Sequence, residues 1–224
     1  SREVMVICVL LLMLVSKSTS CVIKDRTDLD THLSDYFSNP SAAHACGDIS
    51  TWNVSNVTDF TDLFYNQATF NANVSNWDTS RVTSLYFAFN RATSITGDSL
   101  SNWDTSSVTS FQDTFNVATS FTGDGLSNWD TSRVTTLEYT FYGATSFTGD
   151  VLSNWDTSSV TDLSLTFYDA TSFTGDGLSN WDTSSVTVMP YTFEGARSFN
   201  GNLSWDTSRV INLAHTFKDA TAFT

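Results

Sequence analysis

From Trp52 onward, apolar and polar residues alternate in a pattern that repeats down the chain. In the copy that starts at Trp103, the apolar positions are Val108, Phe111, Phe115, Ala118 and Phe121, stepping by three or four residues. Such steps predict the apolar stripe of a short helix. Asp104-Thr105-Ser106 and Thr109-Ser110 precede the stripe and supply side chains that cap helix starts and form turns. Thr122-Gly123-Asp124-Gly125-Leu126-Ser127-Asn128 follows it. Its glycines predict a turn, and the run toward the next Trp predicts a short strand, paired in parallel about 4.8 Å from its equivalents.

All seven tryptophans mark one repeat position. Trp52, Trp77, Trp103, Trp129, Trp155, Trp181 and Trp205 are separated by 25, 26, 26, 26, 26 and 24 residues. A fixed period of this length predicts one supersecondary unit per turn, with a core completed only when neighbours stack. The expected fold is therefore an α/β solenoid, a leucine-rich-repeat-type coil of about seven turns with one short helix and one short parallel strand in each. Residues 52–224 would form this coil.

Residues 21–51 do not follow the repeat. Leu29, Leu33, Tyr36 and Phe37 lie at helical spacing, Thr27 or Asp28 can cap the start, and Asn39-Pro40 can stop the helix. This segment, including a loop through Ala42 and Ala43, is the expected cap over the first open core face. Residues 1–20 resemble a secretory signal: Arg2, then an apolar run from Val4 to Val15, then Ser18-Thr19-Ser20. The run is shorter than a bilayer span. The competing reading is a retained hydrophobic segment, the one route by which this chain would meet a membrane. Past Phe223 there is no polar cap, so an apolar face is expected there, for a neighbour or for further sequence.

Composition narrows the function. The formal net charge is −14, with 10 basic and 24 acidic residues, which disfavours nucleic acid and anionic lipid. Of three cysteines, Cys21 and Cys46 lie outside the expected leader, and an even pair in a secreted chain predicts one disulfide. Sequons at Asn53, Asn56, Asn73 and Asn202 predict N-glycan acceptors in a eukaryotic secretory setting.

Several rows of like residues emerge when the repeats are aligned. The tryptophans could stack sugar rings, but a core position with the indole N–H bonded to backbone is the expectation. Asn76, Asn102, Asn128, Asn154 and Asn180 are expected to form a buried row bonding backbone between turns. Asp78, Asp104, Asp130, Asp156, Asp182 and Asp206 read as turn formers, with Arg81, Arg133 and Arg209 near enough to neutralise some. Asp98, Asp124, Asp150 and Asp176 form a second acidic row, the one place where calcium is conceivable. Rows such as Thr79, Thr105, Thr131, Thr157 and Thr183 would suit ice binding only on a flat, exposed face.

Enzyme chemistry finds no support. Asp-Thr-Ser recurs as repeat punctuation, not as a single protease-like signature, and His32, His44 and His215 show no metal-ligand spacing.

The motif W-[DN]-x-S-x-V-T followed by F-x-x-A-x-x-F, at a period of 26, resembles the BspA-like leucine-rich repeats of microbial and algal surface proteins. The resemblance runs from Trp52 to Thr224, and Gly47 to Thr58 is similar to the family's entry into its first repeat. It implies a secreted or cell-surface structural or adhesive protein with no catalytic residues. The partners expected are other copies of the chain, stacked end to end into an extracellular fibre, or surface proteins and glycans. The competing class is a glycan- or calcium-binding recognition module. The chain departs from the family pattern in placing Thr or aromatic residues where Met is common, and in inserting Thr-Gly-Asp-Gly.

Overall fold

The computed structural model describes residues 21–39 and 44–224. The leader expected at 1–20, Pro40 and the loop through Ala42 and Ala43 lie outside the described residues. Among the described residues there is one α-helix, α1 (Arg26–Ser38), and five 3₁₀ turns at Ile49–Thr51, Asp98–Leu100, Asp124–Leu126, Asp150–Asn154 and Asp176–Leu178.

The helix sits where the apolar spacing put it. Its cap is Asp25, not Thr27 or Asp28: the Asp25 carboxylate accepts the Asp28 N–H, and Leu29 and Leu33 are buried. Tyr36 and Phe37 lean on the first turn of the repeat, Tyr36 against Trp52 and Phe37 against Phe64 and Phe70. Ahead of it, Cys21 to Ile23 lie along the backbone of Asn53 through Asn53 N–H to Cys21 O (2.8 Å) and Ile23 N–H to Asn53 O (2.9 Å). A disulfide joins Cys21 to Cys46 across 25 residues.

The expected α/β solenoid, one helix and one strand per turn, is not what forms. The repeat holds no α-helix, and no strand is present among the described residues. In place of a helix, the apolar stripe runs through a chain of tight turns. In the Trp103 copy, the N–H groups of Thr114, Asn116 and Ala118 bond three residues back, to Phe111, Asp113 and Phe115. The N–H groups between them do something else. Those of Phe111, Asp113, Phe115 and Val117 reach the next turn, to the carbonyls of Thr136, Glu138, Thr140 and Tyr142. Alternate amides thus close local turns and join neighbouring turns, so no backbone donor is left for a helical i→i−4 ladder.

Reversing direction this often needs left-handed residues. Two columns supply them: Asp62, Phe87, Asp113, Tyr139, Leu165, Tyr191 and His215, and four residues on Asn66, Arg91, Val117, Gly143, Asp169, Gly195 and Asp219, all at positive φ. Each turn therefore has side chains three and four residues apart on the inside, as a helix would, without helical backbone. The expected strand fails for a related reason. After Gly97, Gly123, Gly149 and Gly175 the chain enters a 3₁₀ turn instead of extending. Parallel contact sits in the other half of the repeat and is one residue wide per turn, at Ser110, Thr136, Asp162, Val188 and Asn212, too narrow for a strand.

The core is a set of stacked rings. Trp52, Trp77 and Trp103 follow one another with ring centres 6.4 and 6.5 Å apart. Phe89, Phe115, Phe141, Phe167 and Phe193 stack at 5.5, 5.8, 5.6 and 5.6 Å. Within a turn, Phe115 and Phe121 are 3.9 Å apart and nearly parallel. From each Trp to the phenylalanine or isoleucine that ends the stripe the distance is 18 residues in all seven copies, and the differences in period fall wholly in the segment that follows. The units of 25 and 24 residues, Trp52–Asn76 and Trp181–Ser204, have no 3₁₀ turn in that segment.

Candidate functional site

The tryptophans belong to the core. Trp52 through Trp181 are buried, and the indole N–H of Trp77, Trp103, Trp129, Trp155, Trp181 and Trp205 donates to a carbonyl of the preceding turn: Ile49, Val74, Leu100, Leu126, Leu152 and Leu178. They offer no sugar-stacking platform. The buried polar row is not asparagine. Asn76, Asn102, Asn128, Asn154 and Asn180 are exposed, and Asn102 and Asn128 make only long bonds to the carbonyls of Ser75 and Ser101. Threonine takes the interior role. Thr79, Thr105, Thr131, Thr157 and Thr183 are buried and donate to the carbonyls of Asp104, Asp130, Asp156, Asp182 and Asp206 in the next turn. A second row, Thr114, Thr140, Thr166, Thr192 and Thr216, is buried among the tight turns. The hydroxyls that an ice-binding face would have to show are thus turned inward.

The outward rows are acidic. Asp78, Asp104, Asp130, Asp156, Asp182 and Asp206 are exposed, and each accepts the N–H of the serine two residues on. Serine hydrogen bonds hold the carboxyls of Asp78, Asp130, Asp182 and Asp206 below the usual aspartate range. Arg81, Arg133 and Arg209 form no ion pair with them among the described residues. Asp98, Asp124, Asp150 and Asp176 are exposed at the start of their 3₁₀ turns, and Asp98, Asp124 and Asp176 accept hydroxyl bonds from Thr96, Thr122 and Thr174. The structure does not gather three of these carboxylates round one point.

A third acidic strip runs where the turns bond to one another. It carries Asp62, Asp113, Glu138 and Asp162 with Tyr86 and Tyr139. Asp113 is buried at positive φ, and burial pushes its carboxyl up. Burial also raises Glu138, with Asp162 and Asp113 adding like charge. Burial and the same carboxylates raise Tyr139. The strip is not visible as a row in the sequence, because its four acids are spread over four repeats and only Asp62 and Asp113 share a column. The sequons lie on the surface near the first and last turns: Asn56, Asn73 and Asn202 are exposed, and Asn53 is half-buried beside Cys21.

One cluster of unlike chemistry remains, in the cap. Cys21, His32 and Cys46 offer ligand atoms all within 4.8 Å of one another, the single group of three or more His, Cys, Asp or Glu side chains of this kind among the described residues. His32 Nε2 lies 3.4 Å from Cys46 Sγ and 3.7 Å from Asp28 Oδ1, and its ring leans on Trp52. The sequence spacing gave no hint of it: the ligands are 11 and 14 residues apart, and α1 alone brings the histidine to the cystine.

The described residues include no helix long and apolar enough to cross a membrane. A family model described as a Mycoplasma protein of unknown function, DUF285, matches residues 31–151 and again residues 121–224. No curated protein and no solved structure matches the chain.

Proposed function

The chain belongs to the DUF285 family, described as of unknown function, and from that premise we propose that it is a non-enzymatic display rod of the extracellular surface. The observation that carries the reading is the division of labour between rows. Aromatic, tryptophan and threonine rows are spent on the core, whereas aspartate rows face outward on every turn after the first. Such a body presents one acidic, hydroxyl-rich face many times over, which suits weak multivalent contact better than chemistry at a single point. The finer likeness to BspA-like surface proteins rests on the W-[DN]-x-S-x-V-T motif and points the same way. The disulfide of the cap supports an oxidising, secreted setting. Two measurements test the reading. Antibody labelling of intact cells should find the chain outside, and beads coated with it should adhere to surfaces above an albumin control. A purely internal location, or adhesion no better than albumin, overturns it.

End-to-end joining into a fibre is the second reading, favoured by the apolar side chains left open on the last described turn. Ile211 is 85% exposed, and Leu213, Phe217 and Phe223 are open beside it. Negative-stain microscopy at increasing concentration decides this. Filaments that vanish when a polar repeat is added after Phe223 support joining, and short separate rods at every concentration refute it.

A further inference from the structure

We propose that Cys21, His32 and Cys46 form a zinc-class metal site whenever their disulfide is reduced. The geometry is already close to what the ion needs. Zinc holds sulfur at about 2.3 Å and imidazole nitrogen at about 2.0–2.1 Å, so two tetrahedral ligands of this kind stand about 3.5 Å apart. His32 Nε2 stands 3.4 Å from Cys46 Sγ. The two cysteine Cα atoms are 5.1 Å apart, near enough for both thiolates to reach one centre. All three ligand atoms fit within 4.8 Å of one another.

The surroundings fix the ligands separately. His32 lies on α1, whose turns are set by the Asp25 cap and by burial of Leu29 and Leu33. Its ring centre is 5.8 Å from that of buried Trp52. Cys21 is pinned by the backbone bonds to Asn53, and Cys46 is nearly buried. The ligand set is two thiolates and an imidazole, a soft combination that selects zinc over calcium or magnesium. Asp28 brings a carboxylate oxygen within 3.7 Å of Nε2, so a negative charge lies beside the site.

The exchange balances. Two equivalents of a small-molecule thiol convert the Cys21–Cys46 disulfide to two thiols and leave as their own disulfide. Zinc then takes both sulfurs with loss of two protons and accepts the Nε2 lone pair of the neutral His32 ring, whose remaining proton sits on Nδ1. The cap is thereby cross-linked in either redox state, by a covalent bond or by the metal.

The test uses the full chain reduced with a phosphine, cobalt(II) as the spectroscopic probe and zinc as competitor. One equivalent of cobalt should give thiolate-to-metal charge-transfer absorption, zinc should abolish it, and the oxidised protein should show none. His32→Gln should weaken cobalt binding at least tenfold, while its oxidised form melts with the wild type, which separates lost ligation from lost folding. Amide exchange over residues 52–64 of the reduced protein should slow on adding zinc. The proposal is overturned if the reduced protein gives no such absorption, if His32→Gln binds cobalt as tightly as the wild type, or if zinc leaves exchange in the first turn unchanged.

Discussion

Gly97→Ala and Gly143→Ala look alike in sequence terms, since both add a methyl group at a left-handed glycine, yet their costs should differ severalfold. Gly97 has φ +102°, and a Cβ there would stand 2.6 Å from Cε2 of Phe121 and 3.1 Å from its Cδ2. Phe121 cannot step aside: it is fully buried and stacked on Phe115 at 3.9 Å and on Phe147 at 6.0 Å. Left-handed backbone costs an alanine about 1–2 kcal/mol, and forcing a methyl group into a filled core adds about 1–3 kcal/mol. The stiffer unfolded chain returns about 0.4–1 kcal/mol. The net expectation is a loss of about 2–4 kcal/mol, or a fall in melting temperature of roughly 5–15 °C for a chain of this size. Gly143 has φ +62°, and its nearest neighbour would be Val117 Cγ2 at 3.6 Å, an ordinary contact. Asn66, Asp169 and Asp219 already occupy the same column at similar φ, so the backbone there tolerates a side chain. Gly143→Ala should cost about 1 kcal/mol or less, and Gly143→Asn less again. Urea unfolding followed by tryptophan emission and near-ultraviolet circular dichroism reads both variants. Equal losses, or a Gly97→Ala protein within about 0.5 kcal/mol of wild type, would refute the claim that the ring stack and not the backbone limits this position.

Four further outcomes are expected. Thr140→Val removes a hydroxyl that lies 3.0 Å from Phe111 O and 2.8 Å from Leu137 O; it should cost about 1 kcal/mol by denaturant unfolding, modest because both carbonyls keep a backbone donor. On acidification, stability should fall as pH drops below about 4 and through the lowered values of Asp48, Asp78 and Asp130, because a carboxyl held low in the folded state stabilises only while ionised. Asp113 and Glu138 act with the opposite sign: their raised values make the folded state gain as they protonate, so Asp113→Asn should raise the melting temperature at neutral pH and shrink that gain at mildly acid pH. Replacing Cys21 and Cys46 with serine opens a loop of 25 residues and should cost about 3 kcal/mol, with faster amide exchange confined to α1 and the first turn.

The period, the cap helix and the pairing of Cys21 with Cys46 were legible because each rests on a local or countable signal. The inside of the repeat was not. Phe111, Phe115 and Ala118 carry helical spacing, but the spacing comes from three-residue turns separated by left-handed residues four apart. A hint was present in the column of Asn66, Gly143, Asp169, Gly195 and Asp219, residue types that tolerate positive φ. It was masked by Arg91 and Val117 in the same column, which adopt that conformation only because the neighbouring turns bond to it on both sides. Burial also reversed one row, since Asn102 and Asn128 face water, and gave the interior role to Thr79, Thr105, Thr131, Thr157 and Thr183. An amide and a hydroxyl can both bond a carbonyl, and the choice follows from the room left beside the indoles, which only the packed rings reveal. His32 stayed hidden because its partners come from segments before and after the helix.

The constant 18-residue arc from each Trp, joined to an arc of six to eight residues that varies, bears on how such a chain could change over generations. The main contacts between copies recur at the same repeat positions, Trp on Trp, Phe on Phe and Thr hydroxyl to Asp carbonyl, so the loss or gain of a whole copy within the run leaves each remaining neighbour facing much the same surface as before. Slippage during copying of the gene would then alter reach and the number of acidic faces without disturbing packing. An error of one or two residues would be harmless in the arc after the ring-bearing stretch and ruinous inside it. Length is therefore the property that mutation can adjust most freely here, and the Gly-Asp arc is where its small errors are absorbed.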